Sequence, residues 1–386
     1  VIKTRKLRIG DFCQTGTGGT PSRGNPEFYG GKIPWVKSGE LKESIITHTE
    51  ETLTELAIAK TNVKIVPIGA ILLAMYGATV GRLAILGINA TTNQAVCNII
   101  PDEKIAHPKF IFYALQNKVP DFLNKAVGGA QPNISQGIIR DTEIFLPSLD
   151  DQVRIAGILD KADAIRRKRR QALQLADDFL RSVFLDLFGD PITNPKSWPT
   201  EPLANIGLLS RGKSKHRPRN DPKLLNGPYP LIQTGDVTQA LNYIRHFTQT
   251  YSEFGLKQSK LWPAGTLCIT IAANIADTAI LSFDACFPDS IVGFHPGNEL
   301  TTEFIHMWFV LYKQVLKDSA PESAQKNINL EILSKLVVML PPKKLQQKFS
   351  AIFSSLEDRK RQMTNSLFDS EMLFSSVSQR AFGGEL

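Results

Sequence analysis

One stretch of eight residues has the spacing of a phosphate-binding loop. Gly207-Leu-Leu-Ser-Arg-Gly-Lys-Ser214 satisfies G-x-x-x-x-G-K-[ST], a pattern whose backbone amides and lysine cradle a nucleotide's phosphates. That chemistry needs a buried strand entering the loop and a helix leaving it, whose first amides complete the cradle. Here a proline-rich segment comes before, and Pro218 and Pro222 stand where the helix should run. A nucleotide site is therefore not expected. The loop's basic residues, Lys213, Lys215, His216, Arg217 and Arg219, suit contact with a phosphate backbone; the alternative is a solvated loop. Gly16-x-Gly18-Gly19 follows no clear strand and makes a poor dinucleotide fingerprint.

Other chemistry is thin. The six histidines (48, 107, 216, 246, 295, 306) lack metal spacing, and none has an obvious Cys or Ser partner. The four cysteines, Cys13, Cys97, Cys268 and Cys286, form no C-x-x-C pair, so neither a zinc site nor a disulfide framework is expected. No Asp-Pro-Pro-Tyr-type motif occurs, and Leu340 before Pro341-Pro342 offers no polar group to hold an exocyclic amine. The parts for methyl transfer, ATP hydrolysis or strand cleavage are missing. What remains is binding chemistry. Amides at Gln131, Asn133 and Asn327, beside Lys326, could read adenine edges bidentately; alternatively, Asn133 and Asn327 cap the turns that follow. Thr20, Ser22, Lys37, Ser38, Arg82 and Gln233 are the further candidate binding residues.

Composition agrees with such a surface. The 386 residues carry 45 Lys plus Arg against 37 acids, a net +8 that favours a polyanionic partner. At 42% hydrophobic and 21% charged the chain reads as globular, and its length suggests two or three domains. No apolar stretch approaches ~18 residues and no apolar leader is visible, so a cytoplasmic protein without membrane spans is expected. The chain opens on Val1 rather than methionine, which points to processing or trimming.

The elements that position these residues come in two copies. Trp35-Val-Lys-Ser-Gly-Glu-Leu41 recurs as Leu231-Ile-Gln-Thr-Gly-Asp-Val237, and Val66-Pro-Ile-Gly69 as Trp262-Pro-Ala-Gly265, both at an offset of 196. Ala130-Gln-Pro-Asn-Ile134 aligns with Ala324-Gln-Lys-Asn-Ile328, Leu146-Pro147 with Leu340-Pro341, and Gln152 with Gln346, all at 194. The chain is thus one unit of about 195 residues written twice.

Each copy begins with a globular part. Short apolar runs, Ile71–Tyr76, Arg82–Leu86 and Val96–Ile100, then Thr266–Ile271, Thr278–Leu281 and Ile291–Phe294, read as strands. Helices are expected at Pro108–Asn117 and Glu303–Leu316, so the fold class is α+β. A long helix then follows, with Ser148 and Asp151 as its capping start. Its expected seam is Ile158, Ala162, Ile165, Ala172, Phe179 and Val183, and in copy two Ile352, Leu356, Met363, Leu373 and Val377. Arg169 and Arg359 fall on the seam, and Leu159, Leu173, Leu180 and Leu187 form a second stripe one position round. The run Arg166–Arg170 is a phosphate contact or a solvated face. In a pseudo-twofold chain the two helices should pair antiparallel.

The expected division is 1–147 and 196–342 as globular domains, 148–188 and 343–386 as long helices, with a proline-rich linker starting at 189–195. Several words within this plan are shared with a known family. They are Gly19-Thr-Pro-Ser22, Lys32-Ile-Pro-Trp-Val36 before Ser38-Gly-Glu-Leu41, Gly77-Ala-Thr-Val-Gly81, Leu146-Pro147 then Gln152, and Arg380-Ala-Phe-Gly383. Together they resemble the DNA specificity subunit of type I restriction-modification enzymes along essentially the whole chain. Copy two departs at the first word and has Ala272-Ala-Asn-Ile-Ala276 in place of the third.

The resemblance implies two target recognition domains separated by antiparallel coiled-coil helices, reading an asymmetric bipartite sequence in double-stranded DNA. It implies two methylation subunits and a restriction/translocation subunit as partners, no catalysis in this chain, and S-adenosylmethionine, ATP and Mg held by those partners. Some 35 helical residues would span roughly 50 Å, suiting half-sites about one duplex turn apart. The competing readings are a nucleotide-binding or methyl-transferring enzyme in its own right and a two-lobed scaffold that does not touch DNA.

Overall fold

Runs of four to six apolar residues are too short for amphipathic helices and long enough to be buried strands, and both copies use them alike. The computed structural model describes residues 5–126, 133–272, 275–319, 328–383 and 385. The chain divides into two compact units: residues 1–169 with 366–386, and residues 170–365. Each unit therefore takes a globular part and a portion of both long helices.

In unit 1 the main sheet has the order Cys13–Thr17, Val96–Pro101, Ile71–Ala74, Leu83–Leu86, Ile45–Ile46. Neighbours are antiparallel except the edge pair, where Ile45 and Ile46 run parallel to Ile85 and Leu86. Unit 2 repeats this order with Gly207–Arg211, Ile291–Pro296, Leu267–Thr270, Thr278–Leu281 and Tyr243–Ile244, again with a parallel edge. A smaller sheet stands beside each: Glu51–Leu53, Tyr29–Val36 and Thr91–Thr92 in unit 1, and Gln249–Tyr251, Leu225–Leu231, Ala285–Cys286 and Leu261–Trp262 in unit 2. Even the irregularity is copied. The register of the small sheet shifts between Tyr29 and Ile33, and between Leu225 and Tyr229.

The central strands are buried on both faces: all four residues of Ile71–Ala74 and of Leu267–Thr270 are buried. Helix Pro108–Lys125, with proline in its first turn, supplies Phe110, Ile111 and Leu115 to the core of unit 1. Helix Thr302–Ser319 supplies Phe304, Ile305 and Trp308 to that of unit 2. Both run longer than the apolar pattern suggested, the first through Pro120.

The long helices are Leu149–Phe188 and Lys343–Gly383. The Ser148 hydroxyl accepts from the Asp151 amide at 3.2 Å, as its spacing predicts. Gln152 and Gln346, one turn in, are fully buried and make the same three bonds. Each side-chain oxygen accepts from the amide ahead of the shorter helix (His107, 2.8 Å; Thr301, 2.9 Å). Each side-chain nitrogen donates to two carbonyls, Ile105 and Pro147 or Glu299 and Pro341, at 2.8–3.0 Å. A buried amide with every group satisfied fixes where the helix leaves the globular part.

Within each unit the helix segments run antiparallel. In unit 1 Arg169 bonds the Ser366 carbonyl, and Leu159 and Ala162 share a core with Phe374 and Ala381. In unit 2 Lys360 meets Asp177 at 2.7 Å, while Phe184 and Phe188 pack on Phe349. The seam differs from the one expected. A line of buried and half-buried residues runs Gln152, Ile155, Leu159, Ala162, Arg166, Arg169, Leu173, Ala176, Leu180, Val183, Leu187, and 194 residues later Gln346, Phe349, Phe353, Leu356, Lys360, Met363, Leu367, Ser370, Phe374, Val377, Ala381.

Of the expected seam, Ala162 is buried, and Val183, Leu356, Met363 and Val377 are half-buried. Ile158, Ala172 and Ile352 are half-buried as well but lie off that line, and Ile165, Phe179 and Leu373 are exposed at 43%, 52% and 51%. Arg359 is exposed too, and Lys360 takes the buried position. The cause is charge inside the seam. A heptad count anchored on apolar residues avoids Arg166 and Lys360, yet Lys360 is buried and the Arg166 side chain only 13% exposed, each with partners.

Arg166 bonds Asp163 at 2.6 Å and Glu371 at 3.4 Å and lies 3.8 Å over the Phe374 ring. Lys360 bonds Glu357 at 3.0 Å and Asp177 at 2.7 Å. The two triads occupy equivalent positions, 194 residues apart. Arg167, whose side chain stays 46% exposed, bonds Asp163 and the Glu43 carbonyl, so within the run Arg166 is the charge drawn into the seam.

Candidate nucleic-acid interface

The phosphate-loop pattern is steric coincidence. Gly207–Arg211 is a strand, and the segment from Lys213 to Asp221 is loop rather than helix. Gly212 is required because a Cβ there would stand 2.3 Å from the carbonyl oxygens of Phe287 and Pro288. Its counterpart Gly18 is hemmed in by Thr92 and Asn93 in the same way, whereas a Cβ on Gly16 of the other weak motif would meet nothing within 4 Å.

These glycines let a loop lie against one end of the small sheet, where the candidate residues collect. In unit 1 the Gly19 amide donates to the Thr92 carbonyl and the Asn93 amide to the Val36 carbonyl, both at 2.9 Å, which gathers Thr20, Ser22, Lys37 and Ser38. In unit 2 the Lys213 amide donates to Phe287 at 3.1 Å and Ile232 to Cys286 at 2.8 Å. Lys213, Lys215, His216, Arg217, Arg219 and Gln233 collect there. Arg82 and Asn133 lie elsewhere, near the turn in which Tyr76 bridges Asn133, and both are exposed. Gln131, Lys326 and Asn327 lie outside the described residues. The caps of the two turns are Ser135 and Asn329, which accept from Ile138 and Ile332 at 3.2 and 2.8 Å, not Asn133.

The basic residues are not equivalent. Lys213 and Lys215 are exposed, with only their backbones engaged: the Lys213 carbonyl accepts from Ser259, and the Lys215 amide donates to Gln258. Among the described residues no acid pairs with either ammonium group. Arg219 is committed to Asp289, and Arg217 bonds the Ser214 and His216 carbonyls at 2.6 and 2.8 Å. His216 Nε2 meets Asp221 at 2.8 Å. The Lys223 amide, followed by His216, holds the Asp221 carboxyl below its ordinary range. Lys260 stacks 3.5 Å over Trp262, and burial followed by the charge of Lys213 lowers its pKa.

Unit 1 is more self-compensated. Arg23 grips Glu51 through two bonds of 2.7 and 3.0 Å and lies over the rings of Tyr29 and Trp35. Lys37 bonds Glu50 at 2.8 Å and Glu51 at 3.0 Å, which takes it out of the set of free phosphate ligands. Arg23 first and Lys37 second hold the Glu51 carboxyl down to about 2. Thr20 donates to Gln94, and Ser22 accepts from Gly24 at 3.3 Å. Sequence reasoning missed Arg23, Glu51, Gln249 and Lys260. Arg23 and Arg217 do stand 194 residues apart, a signal the repeat carried.

Among the described residues no cluster of three His, Cys, Asp or Glu could hold a metal, and no helix is long and apolar enough to cross a membrane. The four cysteines are buried free thiols, Cys13 and Cys97 pushed up to about 12 by burial.

The comparisons with known proteins agree with the repeat. The sequence is 27% identical over 254 residues to the type I restriction enzyme MjaIX specificity subunit of Methanocaldococcus jannaschii, covering 61% of this chain and 58% of that one. It is 28% identical over 171 residues to the EcoR124I/EcoR124II specificity subunit of Escherichia coli, covering 43% and 42%. The chain thus spans about half the length of these curated relatives. Among solved structures, the S subunit of a type I restriction-modification system from M. genitalium aligns with TM-score 0.60 at 16% identity, covering 99% of this chain and 96% of that one. A chain from a study of type I complex assembly aligns with TM-score 0.53 at 16% identity, covering 99% and 98%. These two likenesses are of fold. The profile of the type I restriction modification DNA specificity domain matches twice, at residues 3–175 and 195–367, so the chain belongs to that family and carries two copies of its domain.

Proposed function

We propose that this chain is the sequence-reading, non-catalytic subunit of a type I restriction-modification assembly. The observation that carries the reading is the doubled specificity domain, laid on two units with the same sheet order and the same loop end. Residues 1–147 and 196–342 would be the two readers, 148–188 and 343–386 the helical spacers, and 189–195 the start of the linker between copies. Each reader would take one half of a bipartite target. The loops differ, Gly19-Thr-Pro-Ser22 against Lys213-Ser-Lys-His216, so the halves should differ and the target be asymmetric.

Affinity would rest on phosphate contacts from Lys213 and Lys215, and discrimination on polar side chains reaching base edges. Two methylation subunits and a restriction/translocation subunit would supply the chemistry, with S-adenosylmethionine, ATP and Mg bound there, in the cytoplasm. The test is a domain exchange in the assembled complex. Replacing residues 196–342 by those of a family member with a different target should rewrite one half-site, read as methylated positions across a host genome, and leave the other intact. Rewriting of both halves would sink the independent-reader model. Detectable binding of S-adenosylmethionine or ATP by the purified chain alone would count against the non-catalytic role.

A further inference from the structure

The two units share one device at the end of the long strand of the small sheet. In unit 1 the Lys37 amide donates to the Glu40 carboxylate at 2.7 Å, and in unit 2 the Gln233 amide donates to Asp236 at the same distance. The backbone is held alike, and a short helix starts from each point. The side chains above this scaffold are not alike. Lys37 reaches the acids Glu50 and Glu51 on the neighbouring strand and the residue just before it. Gln233 reaches Gln249, the counterpart of Glu51 on the equivalent strand, its Nε2 donating to Oε1 at 3.1 Å. An ion pair in one copy has become an amide pair in the other, on a frame that has not changed.

We propose that these pairs are the positions that discriminate bases in each half-site: Lys37 with Glu50 and Glu51 selects a G·C pair, and Gln233 with Gln249 selects an A·T pair. The proposal rests on the DNA-reading function above. The donor and acceptor inventory supplies the match. Lys37 keeps a third ammonium proton for guanine O6 or N7, and Glu50, whose side chain is 69% exposed, keeps an oxygen for the cytosine amino group. After bonding each other, Gln233 retains its Oε1 acceptor and Gln249 its Nε2 donors, the complement of adenine N6 and N7. The lysines of the adjoining loop, Lys213 and Lys215, would hold the backbone while the amides reach the edge.

The test uses the full chain assembled with its methylation subunits and a pool of duplexes randomised at each position of the target. In Lys37→Gln/Glu51→Gln the preference for G·C over A·T at one position of one half-site should fall by roughly 5- to 150-fold, with every other position unchanged. Gln233→Lys/Gln249→Glu should move one position of the other half from A·T toward G·C. If either double variant melts early, the isosteric single changes Glu51→Gln and Gln249→Glu carry the same expectation at smaller size. Unchanged base preference in variants that melt like the parent overturns the proposal. So does a uniform loss of affinity across all sequences, which would mark the pairs as scaffold or phosphate contacts. Failure of the parent complex to bind any duplex selectively would strike the functional reading instead.

Discussion

The two kinds of basic residue on the Lys213–Arg219 loop lead to different salt dependences. Among the described residues Lys213 and Lys215 have no acidic partner, whereas Arg219 is bound to Asp289. Each free cation that neutralises a phosphate releases counterions, and log affinity falls with log salt by about 0.9 per contact. Lys213→Ala/Lys215→Ala should therefore lessen the slope by about 1.8. Between 50 and 200 mM salt, a 4-fold change, that amounts to about 1.1 decades of affinity. The variant should bind markedly more weakly than the parent at low salt, and that deficit should shrink by about one decade at the upper end. Arg219→Ala/Asp289→Ala removes a cation together with an anion that Arg217 reaches only at 4.0 Å, so its slope should stay close to the parent's. The assay is fluorescence anisotropy of a labelled duplex carrying the target, titrated at four salt concentrations. A lysine variant with the parental slope, or an Arg219/Asp289 variant matching the lysine variant, would refute the argument that partnering decides which charges reach DNA.

Three further outcomes follow from the packing. Lys360→Ala leaves the buried Glu357 without its ion partner and should cost about 3–5 kcal/mol in urea unfolding of unit 2, while Lys360→Met with Glu357→Leu should recover most of it. Phe184→Ala, inside the cluster with Phe188, Phe304 and Phe349, should cost about 3–5 kcal/mol, and Ile165→Ala, off the seam, less than about 0.5. Burial, then the charge of Lys360, lowers the His306 pKa to about 3, and its neutral ring sits between Thr278 at 3.0 Å and Asn242 at 2.9 Å. A depressed folded pKa means stability present above the unfolded value and lost below it. Unit 2 should thus weaken by about 1.4 kcal/mol per pH unit below about 6.5, a trend that His306→Gln should flatten in denaturant titrations at several pH values.

The repeat, the strands and the long helices were legible because each is written in local pattern: apolar runs, a proline in a first turn, Ser148 three residues before Asp151. The heptad register was not. Two apolar stripes adjoin on each long helix, and the buried one carries Arg166 and Lys360, whose partners Glu371 and Asp177 lie about 200 residues away in sequence. Nothing local marks a charge as internal when its neutralising acid comes from a distant segment. The candidate interface was legible as composition and opaque as geometry. Lys213 and Arg219 look alike in a basic run, and only the approach of Asp289 separates them. Lys37 likewise reads as a free cation until Glu50 and Glu51 arrive from the next strand.

Unit 2 is one unbroken stretch, whereas unit 1 is completed by residues 366–386. On a ribosome this inverts the usual order of events. Residues 170–365 can close as soon as they emerge, but the first-made domain lacks the Phe374 and Phe382 rings that pack on Tyr113 and Phe110. At roughly 5–20 residues per second, the 196 residues between Arg169 and Ser366 impose a wait of about 10–40 s. Through that interval Phe110 and Tyr113 lack part of their cover and are open to chaperones or to the same surface on a neighbouring nascent chain. A nonsense change shortly before Ser366 would spare the later-made unit and leave the earlier one permanently open, so the more distant of the two domains in sequence bears the damage.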